Sequence, residues 1–290
     1  MTSIDTSILD HIVHLTPPGS LDEVTHQFRK LGFKVLPGGV HAGGLTENAL
    51  VVFEDGVYLE LISFTHPRSH YPAESPEGRQ RDKNPWSAKP PGWIDFAFLG
   101  NGSHGHSVSQ TINERARKDG RSGGDLYEPE QDGGRTRPDG EVLKWLISGP
   151  IGARRGTLPF FCGDVTPRPL RVPSNPPSNA EHPSTTRGIA YVRVLVQPSA
   201  LDDTVKEVTA VIGKSPVSSD ARQVVWELNS PNKNPSSPPP RLILSTASTV
   251  DEQDFLVQSS GIYEVGFRVR TVADGSPIAT PYGRIAWEKE

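Results

Sequence analysis

Two residues near the start of the chain are unusual for the strands that carry them. His11 lies in ILDHIVHL (8–15), where strict alternation places Leu9, Val13 and Leu15 on its face and Ile8, Asp10, Ile12 and His14 on the other. Glu60 lies in VYLELISF (57–64), between Tyr58 and Ile62 on one face. A carboxylate on a core-facing strand is costly unless it is paired or bound to a cation. Imidazole nitrogen with carboxylate oxygen suits Fe(II), Mn(II), Zn(II) or Ni(II). Alternatively, the two side chains hydrogen-bond each other or face solvent. His41 sits among four glycines, in Gly38-Gly39-Val40-His41-Ala42-Gly43-Gly44. Such a loop lets the backbone approach a ligand, and its imidazole is suited to moving protons. If the glycines only make a turn, His41 is solvated. Asn48 can orient a substrate oxygen or pin that same loop.

Other reactive side chains read more plainly. His14 falls on the face opposite His11 and is expected to be structural or at the surface. His104 and His106 flank a glycine in a Ser/Gly loop and are expected to be solvated. Cys162 follows Phe160-Phe161, the setting of a buried, inert thiol. Arg137 can meet a carboxylate or phosphate of a ligand, or pair with Asp139 in its own turn.

The elements that must position these groups recur along the chain. Leu21, Val24, Phe28 and Leu31 have helical spacing, with Ser20 and Glu23 as a capping box and Gly32 as the stop. Strands follow at 33–36, 48–53 and 57–64, so the unit reads β-α-β-β-β over 8–64. A second unit spans 92–149, with strands at 93–99 and 141–148 and a helix over 107–118. A third spans 187–270, with strands at 189–196, 224–228, 241–245 and 262–269 and a helix capped by Ser199 and ended by Gly213. Residues 66–91, 150–187 and 229–240 are expected to be loops or linkers. DHIVHL (10–15) sits over DFAFLG (95–100), and VYLELIS (57–63) over VLKWLIS (142–148). This repeat predicts an α+β fold of duplicated modules.

Composition agrees. Gly and Pro supply 28 residues each, about a fifth of the chain against a usual ~12%, which favours short strands and turns over a helical bundle. With 30 basic and 34 acidic residues the net charge is −4. Nothing in that balance would draw in nucleic acid or an anionic membrane. The single Cys excludes an intrachain disulfide and a Cys-based metal cluster. The first ten residues lack the pattern of a signal peptide, and no apolar run is long enough to span a membrane. A cytoplasmic protein is expected.

Asp10-His11, Gly38-Gly39-x-His41, Thr46-x-Asn48-Ala49-Leu50 and Tyr58-Leu59-Glu60-Leu61 resemble the glyoxalase-like domain of the vicinal oxygen chelate superfamily. A looser match runs through Trp93-Ile94-Asp95, Arg137-Pro138-Asp139-Gly140 and Leu158-Pro159-Phe160-Phe161, so the resemblance covers 8–165. It implies paired β-α-β-β-β modules whose curved mixed sheets enclose a pocket. It also implies that His11 and Glu60 occupy the usual metal-ligand positions. The matching positions of the second unit are Phe96 and Trp145, which cannot ligate. His41 is then the best third donor. Facing the same pocket, Phe96 and Trp145 would make it half aromatic and suited to a hydrophobic, oxygen-bearing small molecule; otherwise they are plain core.

Three readings follow from the resemblance. In the first, a divalent metal (Fe, Mn, Ni or Zn) on His11 and Glu60 binds two neighbouring substrate oxygens, His41 moves the proton, and the reaction is of lyase or isomerase type. Dioxygenase chemistry stays open, because His11, His41 and Glu60 have the composition of a facial triad. In the second there is no metal, and His11 with Glu60 acts as an acid/base pair in a cyclase, isomerase or hydrolase. In the third the chain binds a small molecule without reaction. The partner is a small molecule in each case. Three modules leave one without a mate, which makes a homodimer plausible.

Overall fold

The computed structural model describes residues 4–41, 43–121, 124–137, 139–232, 237–271 and 278–290. Its first module is β1 (Leu9–Thr16), α1 (Leu21–Lys30), β2 (Leu36–Val40), β3 (Thr46–Val52) and β4 (Tyr58–Phe64). After α2 (Pro76–Lys83) come β5 (Gly92–Gly100), α3 (Val108–Lys118), β6 (Gln131–Thr136), β7 (Val142–Ser148) and β8 (Phe160–Asp164). A short helix α4 (Arg168–Arg171) leads to β9 (Thr186–Leu195), α5 (Leu201–Ile212), β10 (Ser218–Ser219), β11 (Gln223–Glu227) and β12 (Arg241–Ser245). The chain closes with α6 (Val250–Gln258), β13 (Gly261–Val269), β14 (Ile278–Thr280) and β15 (Gly283–Lys289).

The strands form two curved mixed sheets, in the orders β2-β3-β4-β1-β5-β8-β7-β6 and β10-β11-β12-β9-β13-β15-β14. In each module the first strand runs parallel to the last: β1 with β4, β5 with β8, β9 with β12 and β13 with β15. The first strands of paired modules meet antiparallel at the sheet centre. The expected α+β architecture of repeated modules is therefore present.

The repeat has four members rather than three. Residues 261–269, expected to complete the third module, open a fourth, in which, among the described residues, only β14 and β15 follow. The third module thus finds its mate within the chain, which removes the reason given for a homodimer. The second module runs past 149 to Asp164, because Phe160–Asp164 supplies its parallel last strand. The stretch 66–91 contains α2, whose Ser75 hydroxyl accepts from the Gly78 amide, with Pro76 in the first turn. α6 lies outside every expected element, although Thr249 and Glu252 form a capping box. The box expected at Ser20 and Glu23 is absent, because the Ser20 hydroxyl donates to the Pro17 carbonyl instead. Of the expected loop residues, Ala42, Pro138 and 233–236 lie outside the described residues.

The two sheets stand back to back across one core. Val24 and Phe28 of α1, Ile112 of α3 and Val211 of α5 pack there with Ile12, Phe96, Val192 and Val265 from the strands. Such burial stabilises by about 25 cal/mol per Å² of apolar surface. It leaves the other face of each sheet available for chemistry. No helix among the described residues is long and apolar enough to cross a membrane.

Candidate active site

The first sheet curls until its outer strands approach. Arg135 on β6 donates from Nη1 to Asn48 Oδ1 on β3 at 3.2 Å, across the open side of the sheet. The curl encloses a cavity of about 750 Å³. His11, His41, Asn48, Tyr58, Glu60 and Arg135 line it, with Trp86, Trp145 and Phe160 as aromatic walls.

A bulge sets the position of His11. The register of β1 against β5 shifts between Leu9 and His11, so Leu9 and Ile12 both face the core. The alternation that grouped Leu9 with His11 fails at that point. Asp10 therefore lies close enough for His11 Nδ1 to donate to its Oδ2 at 2.7 Å. Asp10 has no exposed surface. It accepts from Arg171 Nη1 at 2.9 Å and Nη2 at 3.3 Å, and from Arg168. Burial alone would raise the Asp10 pKa, but the guanidiniums of Arg171 and Arg168 and the His11 hydrogen bond hold it well below the ordinary carboxylate range. An ionised carboxylate only accepts, so Nδ1 carries a proton, and in the neutral imidazole Nε2 is the nitrogen with the lone pair. Nε2 stands 3.8 Å from Glu60 Oε2. The imidazole stacks on Tyr58 with centroids 4.6 Å apart. Burial holds the Tyr58 phenol well above its ordinary pKa, against Arg171, whose Nη1 donates to the phenol oxygen at 2.8 Å.

A second chain of contacts fixes Glu60. Asn48 Oδ1 accepts from the Gly39 amide at 3.1 Å and from Arg135. That orients the amide, so Nδ2 donates to Glu60 Oε1 at 2.6 Å and lies 3.3 Å from His41 Nε2. Only glycine fits at Gly38, where a Cβ would lie 2.1 Å from Asn48 Oδ1. His41 Nδ1 is 2.8 Å from Thr46 Oγ1, so its proton goes there and Nε2 accepts from Asn48. Burial pushes the His41 pKa below its ordinary value, with Glu60 opposing and Arg135 adding to the fall.

This arrangement answers whether the side chains fit the metal that the resemblance implied. His11 Nε2 and Glu60 Oε2 are uncommitted donors, and Asp10 orients His11 as an outer partner of a ligating histidine does. His41 Nε2 is committed to Asn48, and so is Glu60 Oε1. Among the described residues no group of three or more His, Cys, Asp or Glu side chains is arranged to hold a metal ion. Two free donors fall short of the three protein ligands of a catalytic zinc or a facial triad. The set as arranged does not fit a resident divalent metal.

The structure thus brings His11, His41, Asn48, Glu60 and Trp145 together around one cavity. It does not bring Phe96 or Arg137. Phe96 is fully buried in the core between the sheets. It pairs with Ile12, whereas Ala97 pairs with His11, so an offset in the repeat put Phe96 on the wrong face. Arg137, just past the end of β6, pairs with Asp139 at 2.7 Å, and Arg135, two residues earlier and on β6, takes the cavity position. Asp10, Tyr58, Arg135 and Arg171 were not assigned roles from the sequence. Asp10 had a signal, since the repeat aligns it with Asp95, a second buried carboxylate, which accepts from Trp86 Nε1 at 2.9 Å and Arg155 Nη1 at 3.1 Å. Arg171, in a stretch read as linker, had none. His14 is on the face opposite His11 but buried. Burial pushes the Cys162 thiol up to about 12, consistent with inertness.

The chain belongs to the glyoxalase-like domain family, whose model matches residues 9–212. The match continues past residue 165, where the sequence resemblance was expected to end, into the third module. Among solved structures it is similar to a hypothetical protein from Staphylococcus aureus, with a TM-score of 0.66 at 14% identity over 97% of this chain and 99% of that one. It is also similar to a mutant of 4-hydroxymandelate synthase from Streptomyces coelicolor, with a TM-score of 0.50 at 12% identity over 91% of this chain and 71% of that one. At such identity the likeness shows the fold alone. No curated protein matches the chain by sequence.

Proposed function

We propose that the chain is a small-molecule enzyme that moves a proton on an oxygen-bearing substrate, in isomerase or lyase chemistry, with His11 as the acid–base group. The observation that carries this reading is the state of His11. Its Nδ1–H is tied to the buried, ionised Asp10, which leaves Nε2, on a ring that lines the cavity, as the nitrogen that takes up and releases the proton. Nε2 takes a proton from a carbon next to a substrate carbonyl, and the C–H electron pair moves onto the carbonyl oxygen. Asp10 stabilises the imidazolium that forms. The Tyr58 hydroxyl accepts from Arg171, so its own proton is available for the developing oxyanion. The imidazolium then returns the proton to the γ-carbon of a dienolate, shifting the double bond to give an isomer, or to a β-substituent whose bond breaks as the enolate pair re-forms the carbonyl, giving an elimination. Glu60 steadies the imidazolium from the other side. His41 and Asn48 are positioning residues that hold Glu60.

Proton NMR in D2O tests this by following deuterium into a panel of carbonyl compounds. His11→Gln is expected to slow the exchange by roughly 100- to 10,000-fold; exchange that survives the substitution overturns the assignment. A metal-dependent form of the same chemistry would have only the uncommitted His11 Nε2 and Glu60 Oε2 to draw on. Elemental analysis of protein purified without chelator or His tag decides between them. A stoichiometric transition metal, lost in Glu60→Ala, would replace the metal-free reading.

A further inference from the structure

The cations of the cavity are unequal. Arg171 and Arg168 are committed to Asp10 and Asp164. Arg135 is 6% exposed and lines the cavity, yet among the described residues it makes no ion pair. Its one hydrogen bond there goes to the neutral Asn48 amide. Arg81 shows how such a cation is otherwise kept. It also lacks a carboxylate partner, but it lies 3.3 Å over the Phe64 ring and donates to Ser87. Among the described residues no ring lies under Arg135. Among the described residues, the sealed polar atoms left without a partner are His14 Nδ1, Arg81 Nε, Trp226 Nε1 and Arg268 Nη1. Arg135 is not among them although its Nε and Nη2 make no hydrogen bond to a described residue, so these atoms are not sealed, and the residue lines the cavity. A buried guanidinium with a free fork is costly until an anion fills it.

We propose that the substrate is an organic monoanion whose carboxylate is held by the free Nε–Nη2 edge of Arg135. Its body lies against Trp145 and Phe160, and its reacting carbon lies toward His11. This names the substrate class for the proton-transfer reading above and rests on that reading for the last point. The planar fork matches a carboxylate with two parallel bonds. The other charges lining the cavity are Arg171, Lys144, Asp132 and Glu60, and Arg171 is already paired with Asp10 and Asp164. The two remaining cations, Arg135 and Lys144, against two carboxylates suit one negative charge better than a dianion such as a phosphate monoester. The reach is short, because Asn48 alone links Arg135 to Glu60, and Glu60 stands 3.8 Å from His11 Nε2.

Matched acid and amide pairs test this: benzoate against benzamide, and cyclohexanecarboxylate against its carboxamide. Binding is followed by tryptophan fluorescence and calorimetry at constant ionic strength. The wild type is expected to prefer each acid by roughly tenfold or more, the usual worth of a charged hydrogen-bond pair. Arg135→Met should abolish the preference, with binding of the acid falling far more than binding of the amide. Arg135→Lys, which keeps the charge but not the fork, should retain part of it, and it serves if the Met variant fails to fold. Lys144→Ala should leave most of it. Equal binding of acid and amide by wild type overturns the proposal, as does a preference that survives Arg135→Met or failure of either acid to bind in the millimolar range. Phenyl phosphate binding more tightly than benzoate overturns the monoanion. The two readings fail separately. Acid preference through Arg135 with His11-independent exchange sinks only the proton transfer. His11-dependent exchange without acid preference sinks only the substrate class.

Discussion

The two sheets share a strand plan and differ in what their outward faces do with charge. On the first, His11 Nε2 and the Arg135 fork are left open beside a cavity of about 750 Å³. On the second, the charged groups answer one another. Tyr191 donates to Glu264 Oε1 at 2.7 Å, Arg284 Nε reaches Glu264 Oε2 at 3.5 Å, and Arg193 pairs with Glu252 of α6 at 2.6 Å. Leu256 of α6 packs with Leu195 and Tyr263 on that face, and Arg193 and Arg284 lie over the Tyr263 ring. Polar residues on a strand face therefore do not mark a site by themselves. What separates the sheets is whether the partners close on each other or leave donors unspent.

The largest expected effect tests the most heavily committed group of the first sheet. Asp10→Ala removes the carboxylate that Arg168, Arg171 and His11 share, and leaves the buried Arg171 and the partly buried Arg168 with Asp164 alone between them. Breaking such a buried cluster from one side costs about 3–5 kcal/mol, read as a shift in urea midpoint. Glu264→Gln in the second sheet should cost only about 1–2 kcal/mol, because it weakens two hydrogen-bonded contacts without stranding a buried cation. Equal losses would break the comparison. The depressed Asp10 value also fixes a pH window. Its stabilisation is present above the unfolded carboxylate value of about 4 and is lost as pH falls toward the lower folded one.

The seam between the sheets offers a sharper, smaller test. His14 on β1 donates from Nε2 to the Tyr282 carbonyl, just before β15, at 3.1 Å, and burial pushes its pKa down to about 4. Asp55, between β3 and β4, accepts from the Ile189 amide on β9 at 3.2 Å. Burial pushes its pKa up to about 6, against the Val57 amide and Arg268. The signs oppose. Unfolded His14 binds a proton that the folded chain rejects, so its contribution is lost as pH falls from about 6.5 to 4. Folded Asp55 binds a proton that the unfolded chain releases, so its contribution is gained as pH falls through about 6 toward 4. Each amounts to at most about 3 kcal/mol. Relative to wild type, Asp55→Asn should lose stability between pH 6 and 4, and His14→Phe should gain it. Denaturant midpoints that stay parallel to wild type across that range would remove both groups from the seam.

How much of this was legible follows the range of the interactions. The modules were readable because alternation and helical spacing are local, and His11 and Glu60 stood out because each breaks an apolar run. The fourth module was not readable, because β13 is told apart from a third-module strand only by pairing with β9 and β15. The Asp10 bulge defeated an alternation argument that holds only for regular strands. Arg171 lies 161 residues from Asp10, and no spacing rule spans that gap. Asn48 was left between orienting a ligand and pinning the loop. The fold has it pin Gly39 and hold Glu60, and its contact with His41 Nε2 removes His41 as a free donor. The Gly-rich stretch around His41 is partly strand for the same reason, since Gly38 makes room for the Asn48 side chain.

The smallest expected effect closes the comparison from the side of the second sheet. Arg284 has a side chain 28% exposed and its contact with Glu264 is 3.5 Å long. A partly solvated pair of that length contributes about 0–1 kcal/mol. Glu264 keeps the Tyr191 hydroxyl, so Arg284→Ala strands no buried charge. The variant should unfold within about 1 kcal/mol of wild type and bind benzoate with unchanged preference over benzamide. Arg135→Met, by contrast, removes a cation with no ion-pair partner among the described residues and should move the ligand preference far more than the stability. The pair of variants separates a charge held for the fold from a charge held for a ligand. Loss of acid preference in Arg284→Ala would mean that the sheets communicate through the seam, and the division of labour between them would not stand.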